Sequence, residues 1–221
     1  MVRHSVTIDG ANAVKDSKFG TALATIAGGM NPLTTVKKVV SSPAPRAQET
    51  AVIYLPAAGI SDCAIETDAT FDQMPPEWNG TPKPDIIARL KEIGCQKNLT
   101  IEEAIFEPEA NLAEYLIERG EAGYERICSI AHELADGEVA VIFSHGGCIE
   151  PVAVLAQRKA GAGGGNTAPL RFRLDEIDGA LWECEAYDIV FDENNVPVEV
   201  KRNRHTDGVV DFVKMAKITR R

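Results

Sequence analysis

The sequence lacks the features of membrane-spanning and secreted proteins. Its 221 residues contain no apolar run close to the ~18 residues that suggest a membrane-spanning helix. The first residues, MVRHSVT, contain no apolar segment of a signal peptide. The five cysteines are widely spaced and include no C-x-x-C pair (Cys63, Cys95, Cys128, Cys148 and Cys184). We therefore expect reduced thiols and a cytoplasmic protein.

Basic residues are outnumbered by acidic ones. The 23 Lys and Arg against 33 Asp and Glu give a formal net charge of −10. Such a chain on average repels nucleic acids and anionic membranes, so we expect neither as a partner. A phosphate site here must be a local positive pocket in a negative protein.

Motifs of several other functional classes are also missing. The four histidines form no H-E-x-x-H motif and no close Cys/His cluster, so we expect no metal and no cofactor (His4, His132, His145 and His205). A serine hydrolase of the α/β type would need G-x-S-x-G, which is absent. The glycine-rich stretch 161–165 lacks the G-K-[ST] ending of a P-loop.

Strand-like and helix-like segments alternate along the chain, which favours an α/β architecture. Short apolar or β-branched runs predict strands at Val36–Val40 and Val139–Phe143. Further strands are predicted at 170–174, 180–191 and 196–202, the last two joined by a hairpin turn. We also predict two helical pieces within 109–135, interrupted by two glycines (Gly120 and Gly123), and a short helix within 207–221.

Three short stretches carry a resemblance to a known family. Arg3-His4 follows the first strand-like residues, residues 41–51 read SSPAPRAQETA, and Ser144-His145-Gly146-Gly147 follows a predicted buried strand. In this order and spacing they resemble the motifs of the histidine phosphatase (phosphoglycerate mutase-like) superfamily. The resemblance implies a three-layer α/β/α sandwich with a mostly parallel central sheet. It also implies one domain over residues 1–221, with an excursion over the active site at about 56–107.

The expected positions of three residues agree with a phosphate site. His4 and His145 both follow strand-like runs, so both can reach the carboxyl edge of the sheet, where ligands bind in this class. Arg46 lies in the first turn of a predicted helix, where a cation opposes the helix dipole. Its side chain leans toward the helix N-terminus and hence toward the strand ends. Such a cation is reasonable if an anion binds beside it.

The resemblance implies a role for each site residue. His4 is the nucleophile, while Arg3, Arg46 and His145 bind the transferring phosphoryl group. The proton donor of the family often lies six residues before Trp-x-Gly. The triplet Trp78-Asn79-Gly80 then indicates Asp72, and Glu77 is the alternative.

The sequence departs from the family pattern beside His4. Ser5 replaces the usual glycine, so the pocket either changes shape or gains a hydroxyl group. The predicted first strand is also short. These departures motivate a non-catalytic phosphatase-like binding domain as one alternative.

The favoured function is a phosphomonoester phosphatase that forms a phosphohistidine on His4, with a small phosphorylated substrate. Phosphoglycerate mutase-type transfer is the other alternative. A mutase needs a closed, basic pocket, whereas the excursion at 56–107 is poor in basic residues. A homodimer is compatible with the sequence.

Overall fold

A six-stranded sheet forms the centre of the computed structural model, which describes residues 1–3, 5, 14, 17–72, 84–161, 174–181 and 183–203. The strands are β1 (Val2–Arg3), β2 (Val36–Ser41), β3 (Ile65–Thr67), β4 (Val139–Ser144), β5 (Ala186–Phe191) and β6 (Pro197–Asn203). Their order in the sheet is β3-β2-β4-β1-β5-β6. The first four are parallel, whereas β5 is antiparallel to both of its neighbours. The prediction of a mostly parallel sheet is confirmed.

Helices surround this sheet. They are α1 (Lys18–Met30), α2 (Pro45–Ala57), α3 (Pro84–Lys97), α4 (Ile101–Ala104), α5 (Ala113–Ala131) and α6 (Ile149–Gly161). Short 3₁₀ turns occur at Ala69–Phe71, Pro108–Ala110 and Leu174–Ile177. None of the helices in the described ranges is long and apolar enough to cross a membrane.

The two faces of the sheet are covered by different helices. Side chains of successive strand residues point to opposite faces. Accordingly, Val39 packs with residues of α1 and α2, whereas its neighbour Val40 packs with residues of α5 and α6. The same alternation separates Val141 from Ile142 in β4. The expected three-layer α/β/α sandwich is confirmed.

The described part of the segment between β3 and α5 that contains α3 and α4 packs at one end of the sandwich. Leu90 of α3 and Ile105 after α4 share a buried cluster with Leu116 of α5 and Ile149 at the start of α6. Since α5 precedes the parallel strand β4, the first turns of α5 lie at the carboxyl edge of the sheet. Helices α3 and α4 therefore lie near that edge.

Two details differ from the sequence-based expectation. Helix α5 is continuous through both of its buried glycines, Gly120 and Gly123. A Cβ atom at Gly123 would lie 2.4 Å from Cγ2 of Val152 in α6, so this glycine permits close helix packing rather than ending the helix. The strand predicted from residue 180 begins only at Ala186, because turns precede it and Cys184 has a positive φ of 64°.

Two other predicted elements lie partly or wholly outside the described residues. Of the strand predicted at 170–174, only Leu174 is described, and it begins a 3₁₀ turn. The predicted helix within 207–221 lies outside the described residues. Helix α1 was not predicted from the sequence.

Gly28 marks a close approach of α1 to α2. A Cβ atom at Gly28 would lie 2.4 Å from the carbonyl oxygen of Tyr54, whereas a Cβ at Gly29 would have no atom within 4 Å. We expect Gly28→Ala to lower the free energy of unfolding by about 1–3 kcal/mol, because the two backbones must separate. The control Gly29→Ala should raise it slightly, by less than ~1 kcal/mol. Urea unfolding measures both, and equal stability of the two variants would disprove the close contact.

Candidate active site

The carboxyl ends of three strands bring polar residues together. β2 ends at Ser41 and is followed by Ser42, and β4 ends at Ser144 and is followed by His145. Arg3, the last residue of β1, pairs with Ser144. Because parallel strands end at the same edge, the residues that follow them converge there.

A chain of hydrogen bonds links four side chains at this edge. Nε of Arg46 donates to Nδ1 of His145 at 3.1 Å, and Nε2 of His145 lies 2.8 Å from Oγ of Ser42. Oγ of Ser42 in turn lies 3.4 Å from Oδ1 of Asp72. The predicted residues Arg46, His145 and Asp72 are therefore brought together, with Ser42 between two of them.

The hydrogen bonds assign the proton of His145. A guanidinium group can only donate, so Nδ1 of His145 must accept from Arg46. The ring proton of the neutral imidazole is then on Nε2, which donates to Oγ of Ser42. This oxygen also accepts the backbone N–H of Ala44 at 3.1 Å. The hydroxyl proton of Ser42 remains to be donated to Asp72, so donors and acceptors match along the whole chain.

Arg46 places a positive charge inside this edge. It is the second residue of α2, whose first turn contains no acidic residue. Burial lowers the pKa of Arg46, the negative charge of Asp72 raises it, and the nearby charge of Arg3 lowers it. Two guanidinium groups and a helix N-terminus thus provide a local positive site in a protein of net charge −10.

Arg3 lies in a buried network beneath the edge and is only 4% exposed. Its Nη1 donates to the carbonyl oxygen of Leu181 at 2.5 Å, and its Nη2 lies 3.5 Å from Oε1 of Glu183. The fully buried Glu150 accepts the N–H groups of Gly147 at 2.6 Å and of Leu181 at 3.1 Å. Burial raises the pKa of Glu150, and the charge of Arg3 opposes this shift.

The position of Asp72 is fixed through its backbone. Arg119 of α5 donates to the carbonyl oxygens of Thr70, at 2.7 Å, and of Asp72. The hydroxyl of Ser144 donates to the carbonyl oxygen of Phe71 at 2.7 Å. The turn before Asp72 is therefore held by both α5 and the end of β4.

Ser5 is fixed between two helices. Its backbone N–H donates to Oγ1 of Thr50 in α2 at 2.9 Å, and its hydroxyl donates to the carbonyl oxygen of Gly20 in α1 at 2.7 Å. Ser5 thus connects the segment after β1 to both helices of this layer. His4 and Glu77 lie outside the described residues.

Three residues of this region were not predicted from the sequence: Ser42, Arg119 and Glu150. Ser42 directly follows a predicted strand, and that position was a usable signal. Glu150 is in the first turn of a helix, where acidic residues often interact with backbone N–H groups. No local sequence pattern indicates Arg119, which contacts the site only through tertiary packing.

Neither a disulfide nor a candidate metal cluster occurs among the described residues. All five cysteines are free thiols. Burial raises the pKa of Cys148, which suits a packing role. No group of three or more His, Cys, Asp and Glu among the described residues could hold a metal ion.

Residues 20–165 match the family model of the histidine phosphatase superfamily, branch 1. The chain belongs to this superfamily. The matched region includes Arg46, Asp72 and His145, whereas Arg3 and His4 precede it. No curated protein matches the sequence.

Solved structures show the same phosphoglycerate mutase-like fold. A mycobacterial glucosyl-3-phosphoglycerate phosphatase in complex with VO3 has a TM-score of 0.56 and 17% identity, covering 91% of this chain and 95% of that chain. A phosphoserine phosphatase from Entamoeba histolytica in complex with 3-phosphoglyceric acid has a TM-score of 0.54 and 14% identity, covering 92% of this chain and 96% of that chain. At these identities the likeness shows the fold alone.

Proposed function

We propose that this protein is a phosphomonoester phosphatase that transfers the phosphoryl group to His4 and then to water. The observation that carries the proposal is the hydrogen-bonded set of Arg46, His145, Ser42 and Asp72 at the carboxyl edge, next to the end of β1. Membership of the histidine phosphatase superfamily supports it. Both structural neighbours described above are phosphatases by name.

His4 is the proposed nucleophile. Its two sequence neighbours are held firmly, Arg3 by β-sheet pairing and Ser5 by α1 and α2. The imidazole must be neutral to attack phosphorus, and the positive charges of Arg3 and Arg46 disfavour its protonated form. A bond forms between an imidazole nitrogen and phosphorus while the bond between phosphorus and the alcohol oxygen breaks. Water then attacks the phosphohistidine, which releases inorganic phosphate and restores His4.

Arg3, Arg46 and His145 are the proposed phosphoryl-binding residues. Phosphoryl transfer depends mainly on positioning and on stabilising the charge of the three equatorial oxygens. Arg46 donates to Nδ1 of His145, which keeps the ring proton on Nε2, and this Nε2–H group would exchange its hydrogen bond to Oγ of Ser42 for one to a phosphoryl oxygen. The arginine charges can act without a metal ion, and we propose that none is required.

Asp72 is the proposed general acid, which protonates the leaving alcohol oxygen. The side chain lies beside Ser42 and 3.6 Å from Nε2 of His145, hence next to the proposed phosphoryl site. The general acid must return to its protonated form in each cycle, and the attacking water supplies this proton. Glu77 remains the alternative donor.

The surroundings of the site favour hydrolysis over mutase-type transfer. A mutase must exclude water and hold a sugar acid with basic residues, whereas the excursion is poor in them. A small phosphorylated substrate is therefore the proposed partner, in the cytoplasm. A homodimer is compatible with this activity but is not required for it.

Hydrolysis of p-nitrophenyl phosphate in the presence of EDTA tests the function. We expect phosphate release that persists with EDTA, because arginines rather than a metal stabilise the phosphoryl group. Interconversion of 3-phosphoglycerate isomers without phosphate release would select the mutase alternative. Binding of inorganic phosphate without turnover of any phosphomonoester would select the non-catalytic alternative.

The role of Asp72 predicts a dependence on the leaving group. We expect Asp72→Asn to lower kcat/KM for an alkyl phosphate by about 10²-fold or more, because the alkoxide needs a proton. The loss with p-nitrophenyl phosphate should be much smaller, since p-nitrophenolate leaves without one. Steady-state kinetics on both substrates measure the ratio. The exposed Asp62 provides the control variant Asp62→Asn, and equal losses on both substrates would exclude Asp72 as the acid.

A further inference from the structure

Arg119 of α5 contacts the end of the 3₁₀ turn that carries Asp72. The turn ends at Asp72, whose backbone is extended, with φ −78° and ψ 149°. The last carbonyl groups of a helix have no partner within the helix, and a basic side chain can supply one. Here Nη2 of Arg119 donates to the carbonyl oxygens of Thr70, at 2.7 Å, and of Asp72. The end of the turn is thereby joined to a long helix.

The position of Asp72 matters because a general acid works only within hydrogen-bonding reach of the leaving oxygen. A shift of about 1 Å in a reacting group can cost roughly 10²-fold in rate. The N–H of Asp72 donates within its own turn, to the carbonyl oxygen of Ala69 at 3.1 Å. Its carbonyl oxygen, in contrast, accepts from Arg119 of another element. Loss of the guanidinium group would therefore free the end of the turn from α5.

Arg119 also contacts the segment that follows β4. Burial raises the pKa of Cys148, and the charge of Arg119 and a hydrogen bond from it oppose this shift. The N–H of Cys148 donates to the carbonyl oxygen of His145 at 3.2 Å. Arg119 thus lies between the turn of the proposed general acid and the turn of a proposed phosphoryl-binding residue, and it contacts both.

Stability alone is a weak reason for an arginine at this position. The Nε atom of Arg119 is buried and has no hydrogen-bond partner among the described residues. A buried donor without an acceptor lowers the stability of the folded state. A role in placing the general acid accounts for this arrangement.

We propose that Arg119 is a positioning residue for the general acid. It holds the carbonyl oxygens of Thr70 and Asp72, which keeps the Asp72 carboxyl beside the substrate. From there the carboxyl passes its proton to the alcohol oxygen as the bond between phosphorus and that oxygen breaks. This inference rests on the proposed phosphatase activity and deepens it, because protonation of the leaving group then depends on a residue that binds neither the substrate nor the phosphoryl group.

Arg119→Met tests this role, since methionine keeps an unbranched apolar side chain and removes the hydrogen-bond donors. We expect kcat/KM for an alkyl phosphate to fall by about tenfold or more, because the acid is displaced. The loss with p-nitrophenyl phosphate should be at most about twofold, since p-nitrophenolate leaves without a proton. Arg119→Lys restores one donor group and should recover part of the alkyl-to-p-nitrophenyl ratio. Arg119→Gln replaces the methionine variant if that variant does not fold, as judged by circular dichroism.

Arg126→Met is the matched control. Arg126 also lies on α5 and contacts the start of the same turn, through an ion pair of 2.6 Å with the carboxylate of Asp68. The backbone of Asp68 is held independently, because its N–H donates to the carbonyl oxygen of Ser41 at 2.9 Å. We therefore expect this variant to leave the alkyl-to-p-nitrophenyl ratio unchanged.

A double variant shows whether Arg119 acts through Asp72. Arg119→Met combined with Asp72→Asn should lower the ratio no further than Asp72→Asn alone, since both changes remove the same proton transfer. A further fall in the double variant, equal losses on both substrates, no loss on either, or the same fall in Arg126→Met would each overturn the role of Arg119. A selective loss in Asp72→Asn would leave the proposed function intact in all these cases. No turnover of either substrate by the wild type would instead overturn the proposed function.

Discussion

Replacing His4 with alanine should abolish phosphatase activity. We expect kcat/KM for p-nitrophenyl phosphate to fall by roughly 10⁵–10⁶-fold, because loss of an enzyme nucleophile removes the covalent route and leaves only residual binding effects. The wild type, quenched during turnover, should carry one phosphoryl group on a histidine. The variant should carry none. Rapid-quench mass spectrometry and steady-state kinetics measure the two effects.

His132→Ala is the matched control for this prediction. His132 is exposed at the end of α5, where its Nδ1 lies 2.7 Å from the carbonyl oxygen of Cys128. Its replacement should preserve both the turnover rate and the phosphoenzyme. A His4→Ala protein that still turned over at the wild-type rate would refute the phosphohistidine on His4.

The strands that support the site could be predicted because their signal is local. β2 and β4 are short apolar or β-branched runs, and the prediction agrees with the structure to within one residue at the end of each strand. The parallel arrangement follows from alternation with helices. These two strands place Ser42 and His145, so much of the site's framework is visible in the sequence.

The predicted secondary structure is wrong where tertiary packing overrides the local conformational preference of the sequence. A glycine inside a helical pattern usually weakens it. In α5, however, Gly123 is required for contact with Val152, and the helix continues. Just before Ala186 the composition is strand-like, but Glu183 and Cys184 form a turn, and the N–H of Cys184 donates to the carbonyl oxygen of Arg3 at 3.1 Å. Neither contact has a local signature.

The site residues also divide into those that the local sequence indicates and those that only the three-dimensional fold reveals. The identities of Arg46 and His145 could be predicted from short stretches, whereas their contact spans 99 positions of the chain and required the fold. Arg119 and Glu150 hold backbone groups of the site from α5 and α6. Such supporting residues are selected by three-dimensional position, so sequence spacing does not reveal them.

Replacing Arg46 with alanine should have the second largest effect on turnover. We expect kcat/KM to fall by about 10³-fold or more, because an arginine that stabilises the charge of a transferring phosphoryl group contributes roughly 10³–10⁵-fold. The loss should appear equally with alkyl and p-nitrophenyl substrates, since the charge on the phosphoryl oxygens is common to both. Steady-state kinetics with both substrates measure this.

The stability of Arg46 variants distinguishes a phosphate-binding role from a structural one. The Arg46 charge opposes the dipole of α2, so Arg46→Ala should leave the free energy of unfolding within about 1 kcal/mol of the wild type. Arg46→Lys keeps a charge but not the planar group that donates to Nδ1 of His145, and it should recover activity only in part. The control Arg158→Ala, in α6, removes an ion pair with Glu176 of the 3₁₀ turn and should retain full turnover. Unchanged turnover in Arg46→Ala, or a loss of activity that only accompanies unfolding, would show that Arg46 is not part of the phosphoryl site.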